Sequence, residues 1–565
     1  MDSVNEAQRA AICHIDGPMM VLAGPGSGKT FVITRRLKYL IEEGRVEPSS
    51  ILVITFTKAS AIEMQERFEK LMEDKYYPVV FGTFHAVYFN ILREEQLYDA
   101  GSIITEKEKR EFLKSIIQGS DIEISDDNTM ELILSDISKI KNDGSSPHLA
   151  DIRYMSSEDF EKIYYEYDQM LKDAGKLDFD DMVLECRKLL TTSSNVLRRL
   201  RERIHYILID EFQDINPMQY EVIKMIAMPE NNLFIVGDDD QSIYGFRGSK
   251  PEIMLGFENE YPMCKKVILS TNYRSTSDIV DGAQVFIKNN KERFEKQLIS
   301  NHGKGQEITV AGFGSSENQM EYIKKVIKTL QKCGRMSDVA VIFRTNKGAR
   351  NMTRMLTENH IPYIFKEKPV SFFSHPVSKD ILAILDFAHG KNTRDVFVRF
   401  MNKPSRYIPR VLITSNVVDI NELSKRPNIK TYLRNNLRKL AYDIEQIKNL
   451  EPFAAINYIR KAYGYEKYII GMARDKKQDE GEVLEIMDLV IESAKNMETY
   501  EQFKEFIEEY ERNLNESAMS TDEDTDKITL ITMHGSKGLE YNTVILPDVN
   551  EGNVPQAKAK TNEAL

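Results

Sequence analysis

The run MMVLAGPGSGKTFVITRRL, residues 19 to 37, constrains the fold more than any other stretch of this chain. Met19 to Ala23 are uniformly apolar, as in a strand buried on both faces, and from Thr30 onward the apolar residues Val32, Ile33, Leu37 and Ile41 recur at helical spacing. Between strand and helix, Gly24, Gly26 and Gly28, with Ser27, make a turn flexible enough for backbone N–H groups to close around a phosphate. The helix N-terminus adds positive potential there. In such a loop Lys29 reaches the β and γ phosphates and the Thr30 hydroxyl holds magnesium. The first position of the pattern is Ala23 rather than glycine, a substitution that a small side chain tolerates.

A second stretch supplies the chemistry that a bound nucleotide needs. In ILIDEFQDIN, residues 207 to 216, three aliphatic residues run directly into Asp210, Glu211, Gln213 and Asp214. Taken alone, this is a strand entering an acidic, solvated turn. Beside a phosphate loop it is a strand delivering carboxylates to the carboxyl edge of a sheet, where open α/β folds bind ligands. Asp210 then completes the magnesium shell and Glu211 orients or deprotonates the attacking water, the two roles that a nucleoside triphosphate hydrolase requires.

Length and composition bound the setting. The 565 residues are enough for roughly three to four domains of about 150 each, and the 41% hydrophobic content supports packed cores. No apolar run approaches the roughly 20 residues of a membrane span, and MDSVNEAQRA lacks the basic and apolar regions of a signal peptide. A cytoplasmic protein without a membrane partner is the expectation. Cys13, Cys186, Cys264 and Cys333 are scattered without CxxC spacing, which reads as core packing rather than disulfides, zinc or an iron–sulfur cluster. The net charge of −12 argues weakly against a polyanionic partner but leaves room for a local basic track.

Apolar strand-like runs recur at 51–56, 79–81, 204–209, 233–236 and 267–269 with helical patterns between them, which predicts an α/β sheet. Residues near 100 to 185 are charged and helical and look inserted. A second α/β pattern begins after 275 with ITVAGF and DVAVIF, breaks near 386, and resumes in KITLITMHGSKGLEYNTVILP. The stretch between is again helical and ends in the acidic linker ESAMSTDEDTDK. Near 178–182, DFDDM reads as a helix capped by Asp178, with Phe179, Met182, Val183 and Cys186 on its packed face, and no site is expected there.

The glycine loop, the DE strand end and the motifs around them occur in the order found in superfamily 1 helicases of the UvrD/Rep/PcrA kind, which this chain resembles from about residue 4 to about 555. The resemblance implies two RecA-like parallel-sheet domains with a phosphate loop, each carrying a mainly helical insertion. The first, 1A, spans 1–99 and 186–274 around an insertion, 1B, at 100–185. The second, 2A, spans 275–385 and 525–565 around an insertion, 2B, at 386–524. It also implies ATP and Mg2+ bound in the cleft between the sheets, and single-stranded DNA and duplex–single-strand junctions as substrate. The resemblance further implies 3′-to-5′ movement, with repair or recombination proteins as further partners.

The residue roles follow motif by motif. Gln8 in NEAQRAAI stands where the family reads the adenine edge, which a carboxamide can do with one donor and one acceptor. TFTKASAIEM and GTFHA bring Phe56, Thr57, Thr83, Phe84 and His85 to the DNA strand; VGDDDQSIYGFRGS adds Tyr244, Phe246 and Arg247 and places Gln241 to sense the γ-phosphate. The aromatics among them could singly be core residues, and together they make a stacking platform. LSTNYRS offers Tyr273 to adenine and Arg274 to the γ-phosphate. MHGSKGLEYNTV puts Glu540 near the ribose and Lys537 and His534 near the strand and the nucleotide.

Three positions depart from the family. Phe31 replaces an arginine over the adenine, so two aromatics should hold the base. Phe246 replaces a common tryptophan, and KPSRYIPR, 403–410, replaces a glycine-containing turn in the second insertion. The sixth motif, an arginine-bearing helix on the γ-phosphate, does not follow EGNVPQAKAKTNEAL. A shortened chain with slow hydrolysis is therefore expected, because a finger of this type contributes about 10³ to 10⁵ in turnover. Other readings are a motor subunit of a helicase–nuclease or defence complex, an ATPase that displaces proteins from DNA, and, disfavoured by Gln8 and the second sheet, a GTPase or nucleotide kinase.

Overall fold

The computed structural model describes residues 4–119, 127–150, 152, 154–245, 248–332, 336–345, 348–366, 371–427, 429–475, 480–519 and 526–555. Their contacts divide the chain into two compact units, Met1–Val310 and Ala311–Leu565.

The first unit is built on a six-stranded sheet of β1 (Met19–Ala23), β2 (Ile51–Thr55), β3 (Val80–Thr83), β4 (Tyr206–Ile209), β5 (Leu233–Gly237) and β6 (Lys265–Leu269). The strand order is β3-β2-β4-β5-β1-β6, and every neighbouring pair is parallel. Parallel strands need crossover connections, which place helices on both faces. The apolar runs of the central strands are therefore continuous rather than alternating. On one face Met20, Leu22, Ile54, Ile207 and Ile235 enter one core; on the other Val21, Val53, Leu208, Phe234 and Val236 enter a second. A third core, of residues such as Leu113, Ile137, Phe160 and Tyr167, lies within the helices of the stretch 100–185.

Two short strands, β7 (Thr271–Asn272) and β8 (Ile299–Ser300), pair in parallel beyond β6. Residues 308–313, expected as the first strand of the second α/β pattern, are not a strand: Ile308 and Val310 are exposed and the chain runs outside any ladder. A strand exists only by pairing, and ITVAGF finds no partner among the described residues.

The second unit holds β9 (Val339–Phe343), β10 (Tyr363–Phe365), β11 (Ile528–Thr532) and β12 (Thr543–Ile545) in a parallel sheet of order β10-β11-β9-β12. The described part of 386–519 is helical, and its apolar faces share one continuous core with the sheet, Leu437, Ile486 and Phe503 with Val341 and Leu530. Among the described residues, no helix is long and apolar enough to cross a membrane. Cys186 is buried, Cys13 and Cys264 are half-buried, and all three are free thiols; Cys333 lies outside the described residues.

Candidate active site

Because all six strands run the same way, the motifs that follow them emerge at one edge of the sheet. The glycine loop follows β1, Phe56 follows β2, Thr83 ends β3, the two acids follow β4, the DDDQ run follows β5 and Tyr273 follows β6 and β7. The carboxyl edge thus collects residues separated by more than two hundred positions in the chain.

The glycine loop is shaped for an anion. Gly28 is the N-cap of helix Lys29–Glu42 at φ 86°, and Gly26 has φ 63°. A Cβ on Gly26 would lie 2.6 Å from Arg274 Cβ, so glycine is required both for the backbone and for the space. The Ser27 hydroxyl donates to the Gly24 carbonyl at 2.7 Å, which ties the turn to itself. Ala23 is a buried strand residue paired with Leu269, and Thr30 is half-buried in the first helical turn.

Lys29 donates to Glu211 Oε1 at 2.8 Å. Burial opposes its charge, but Glu211, Asp210 and Asp238 around it hold the ammonium above the ordinary lysine value. Asp210 is buried, and its Oδ1 accepts the Glu211 backbone N–H at 3.0 Å. Glu211 itself takes φ 53°, a left-handed backbone that a non-glycine residue adopts only when its surroundings enforce it. Its Oε2 accepts from Gln213 Nε2 at 2.6 Å, and Gln213 Oε1 accepts the Asp238 N–H at 2.9 Å. Gln241 Nε2 donates to Asp238 Oδ2 at 2.7 Å. A connected line thus runs from Lys29 through Glu211, Gln213 and Asp238 to Gln241. Asp210 and Thr30 offer hard oxygen donors beside it, the donor type that suits magnesium.

At the other end of the loop, Gln8 is only 3% exposed. Its Nε2 donates to the Ser27 carbonyl at 3.3 Å and its Oε1 accepts the Asn5 N–H at 3.3 Å, closing a capping box with Asn5. The Asn5 side chain donates to the Tyr273 hydroxyl at 3.0 Å, and the Tyr273 N–H donates to the Gly26 carbonyl at 2.8 Å. Gln8, Tyr273 and the loop are therefore one cluster. Arg274 is exposed beside Gly26. Phe31 is half-buried and carries the Arg35 guanidinium 3.5 Å from its ring centroid, so an arginine one helical turn on joins the expected pair of aromatics.

The strand-facing set separates. Phe56 and Tyr244 stack at 4.9 Å with 15° between their planes, both half-buried at the same sheet edge. Thr57 and Thr83 cap the helices Lys58–Leu71 and Phe84–Glu94 through their hydroxyls. Phe84 is not a surface ring: it is 3% exposed, packed in the core against Tyr88. Phe84 shares the buried face of its helix with Val87, Tyr88 and Ile91, so its ring belongs to the core and not to the expected stacking surface. His85 is half-buried with its ring edge on Phe179 at 5.7 Å, and burial pushes its imidazole below the usual value. Phe246 and Arg247 lie outside the described residues.

Asp178 caps helix Phe179–Thr192 in a capping box with Asp181, as its sequence predicts, and Met182, Val183 and Cys186 are buried. Phe179 is exposed instead, because the first turn overhangs the end of the packed face. The buried Lys141 joins both carboxylates, at 2.7 Å to Asp178 and 2.6 Å to Asp181, a pairing with no local signal in the sequence.

In the second unit, His534 and Lys537 are half-buried and Glu540 is exposed on the turn after β11. His534 Nδ1 lies 3.4 Å from the Arg344 guanidinium. Four residues at the site of the first unit escape the sequence reading, Asn5, Arg35, Arg293 and Lys296, and a fifth, Gln213, stands in the acidic run with no role evident from sequence. Asn5 was readable, since N-x-x-Q is a capping-box pattern, and Arg35 stands at i+4 from Phe31. Arg293 and Lys296 carry no such signal.

Residues 4–262 match the UvrD/REP helicase N-terminal domain, and residues 267–565 match the UvrD-like helicase C-terminal domain. The ATP-dependent DNA helicase Rep of Escherichia coli K12 is 30% identical over 98% of this chain and 86% of its own length. The ATP-dependent DNA helicase PcrA of Leuconostoc citreum is 30% identical over the whole of this chain and 79% of its own. The putative ATP-dependent DNA helicase YjcD of Bacillus subtilis is 30% identical over 98% of this chain and 74% of its own. With this geometry and these likenesses, the chain belongs to the UvrD/Rep helicase family.

Proposed function

We propose that the protein is an ATP-driven translocase on single-stranded DNA that separates duplex strands at single-strand junctions, moving 3′-to-5′, in repair, replication or recombination in the cytoplasm. The observation that carries the proposal is the contact of Lys29 with Glu211. It joins the anion-binding loop of β1 to the acid at the end of β4, across the strand between them.

The Lys29 ammonium, which is to hold phosphate, pairs with Glu211, the carboxylate that is to serve the water. An incoming triphosphate offers Lys29 a stronger anionic partner than one carboxylate. With Lys29 drawn to the phosphates, the Gln213 bond to Oε2 keeps Glu211 oriented for the water. Gln241, tethered to Asp238, senses the γ-phosphate, and Arg274 adds charge to it. Asp210 and Thr30 are the residues to hold a magnesium ion, which when bound neutralises phosphate charge.

For the base, the cluster of Gln8, Asn5 and Tyr273 beside Phe31 and Arg35 favours adenine, whose edge needs both a donor and an acceptor. For the strand, the stacked pair Phe56 and Tyr244 at the same sheet edge offers a platform for unpaired bases. We assign the four-part plan of 1A, 1B, 2A and 2B to the chain on the family likeness, with Lys537, Glu540 and His534 as the contribution of the second half.

Strand displacement tests this reading. A duplex with a 3′ single-stranded tail should be unwound with ATP, and one with a 5′ tail should not. Removal of a bound protein from DNA without strand separation would favour the protein-displacing reading instead.

A further inference from the structure

Three consecutive acids follow β5. Asp238 and Asp239 are buried and Asp240 lies at the rim, with carboxylate oxygens of all three within 4.8 Å of one another. That spacing would suit a cation, and the structure supplies one from the protein. Lys296 Nζ sits 2.6 Å from Asp238 Oδ1 and 3.0 Å from Asp240 Oδ2, contacts Asp239 Oδ1 as well, and its side chain is 1% exposed. Arg293 grips Asp240 with two bonds of 2.7 Å, and the Phe294 N–H donates to Asp239 at 2.8 Å.

All these donors come from one strip, 293–296, more than fifty residues along the chain from the acids. The strip is itself anchored. Leu298 exchanges two bonds with the Gln284 side chain, at 2.8 and 2.9 Å, and a Cβ on Gly24 of the phosphate loop would meet the Leu298 side chain at 2.5 Å.

Asp238 divides its carboxylate between this strip and the site. Oδ1 takes Lys296, Oδ2 takes Gln241, and its backbone N–H holds Gln213, which in turn holds Glu211. With Lys296 absent, the buried Asp238 carboxylate would lose its ammonium partner and would turn toward whatever other donor it could reach. Gln241 would lose its fixed anchor.

We propose that Lys296, supported by Arg293, is a positioning residue for hydrolysis: it fixes the Asp238 carboxylate so that Gln241, bound to its other oxygen, is presented correctly to the terminal phosphate. The proposal rests on the reading of Gln241 given above. The Lys296 ammonium is engaged by three carboxylates and its side chain is 1% exposed, so its loss should act on turnover rather than on ATP affinity.

The test is a mutant cycle in the full chain, measuring ATP turnover with an oligo-dT strand, the KM for ATP and the melting temperature. Lys296→Met should lower kcat about 10- to 100-fold with KM changed less than about threefold, the pattern of a contact made in the transition state. Gln241→Ala should lower kcat likewise, and the double variant should be no slower than Gln241→Ala alone within about twofold, because both act through one contact. Parental turnover in Lys296→Met, or losses that multiply in the double variant, would overturn the proposal. Parental turnover in Gln241→Ala would instead overturn the reading of the site on which it rests. Should Lys296→Met fail to fold, Arg293→Gln on the rim carries the test: a smaller kcat loss, absent in the Gln241→Ala background, supports the proposal, and parental turnover contradicts it.

Discussion

Lys29 Nζ lies 2.8 Å from Glu211 Oε1, so the cation proposed to hold phosphate and the acid proposed to serve the water form one ion pair. The two should fail differently. Lys29→Ala should abolish ATP binding and turnover together, whereas Glu211→Gln should bind ATP and hydrolyse it at a small fraction of the parental rate. Nucleotide binding beside steady-state turnover distinguishes the two; parental turnover in Glu211→Gln would remove Glu211 from the chemistry.

Gln8 should govern the choice of base. Gln8→Ala should lose roughly 1 to 3 kcal/mol of preference for ATP over GTP, the cost of an unpaired buried polar group. Competition between the two nucleotides measures this, and an unchanged ratio would confine Gln8 to its capping box with Asn5.

Gly26 holds φ 63° against Arg274. Gly26→Ala should weaken ATP binding by about 1 to 2 kcal/mol or more, since a left-handed alanine carries that strain even before the contact with Arg274. The melting temperature without nucleotide should change little, because the loop lies outside the cores. Unaltered ATP affinity would show that the loop opens before it binds.

Phe56 and Phe84 should separate by assay. Phe56→Ala should weaken single-strand binding by about 1 to 3 kcal/mol with little sequence dependence, and Tyr244→Ala should do the same. Phe84→Ala should instead cost about 3 to 5 kcal/mol of stability, as for a core phenylalanine. DNA titrations and denaturant melts of the same variants decide between platform and core.

The sheet of the first unit was legible because the strongest signals are local. The apolar runs at β1, β4 and β5 end in glycine or acid, that at β2 follows the turn Pro48–Ser50, and the helix after Gly28 declares itself by spacing. ITVAGF shows the limit of that logic: its composition is that of a strand, but pairing is a property of the neighbours. Phe84 shows another. Its residue type fits a stacking surface, and only the seat of its helix on the sheet decides that the ring faces inward.

Within the site, the residues proposed to meet the nucleotide were readable as motifs, since phosphate chemistry demands fixed types at fixed spacing. The residues that hold them were not. Gln213 is one polar residue in an acidic run, and Lys296 sits in NNKERFEKQL, which reads as a solvated charged stretch. Its burial is decided by three carboxylates more than fifty positions away, an interaction across the fold that no window of sequence contains.

The central claim, that Lys29, Asp210, Glu211 and Gln241 form an ATP-hydrolysing site coupled to a strand at the same sheet edge, is tested most directly by ATP turnover with and without single-stranded DNA. Turnover should rise severalfold on addition of oligo-dT, and the rise should vanish in Glu211→Gln and shrink in Phe56→Ala. Turnover indifferent to DNA, or stimulation that survives Glu211→Gln, would contradict the account.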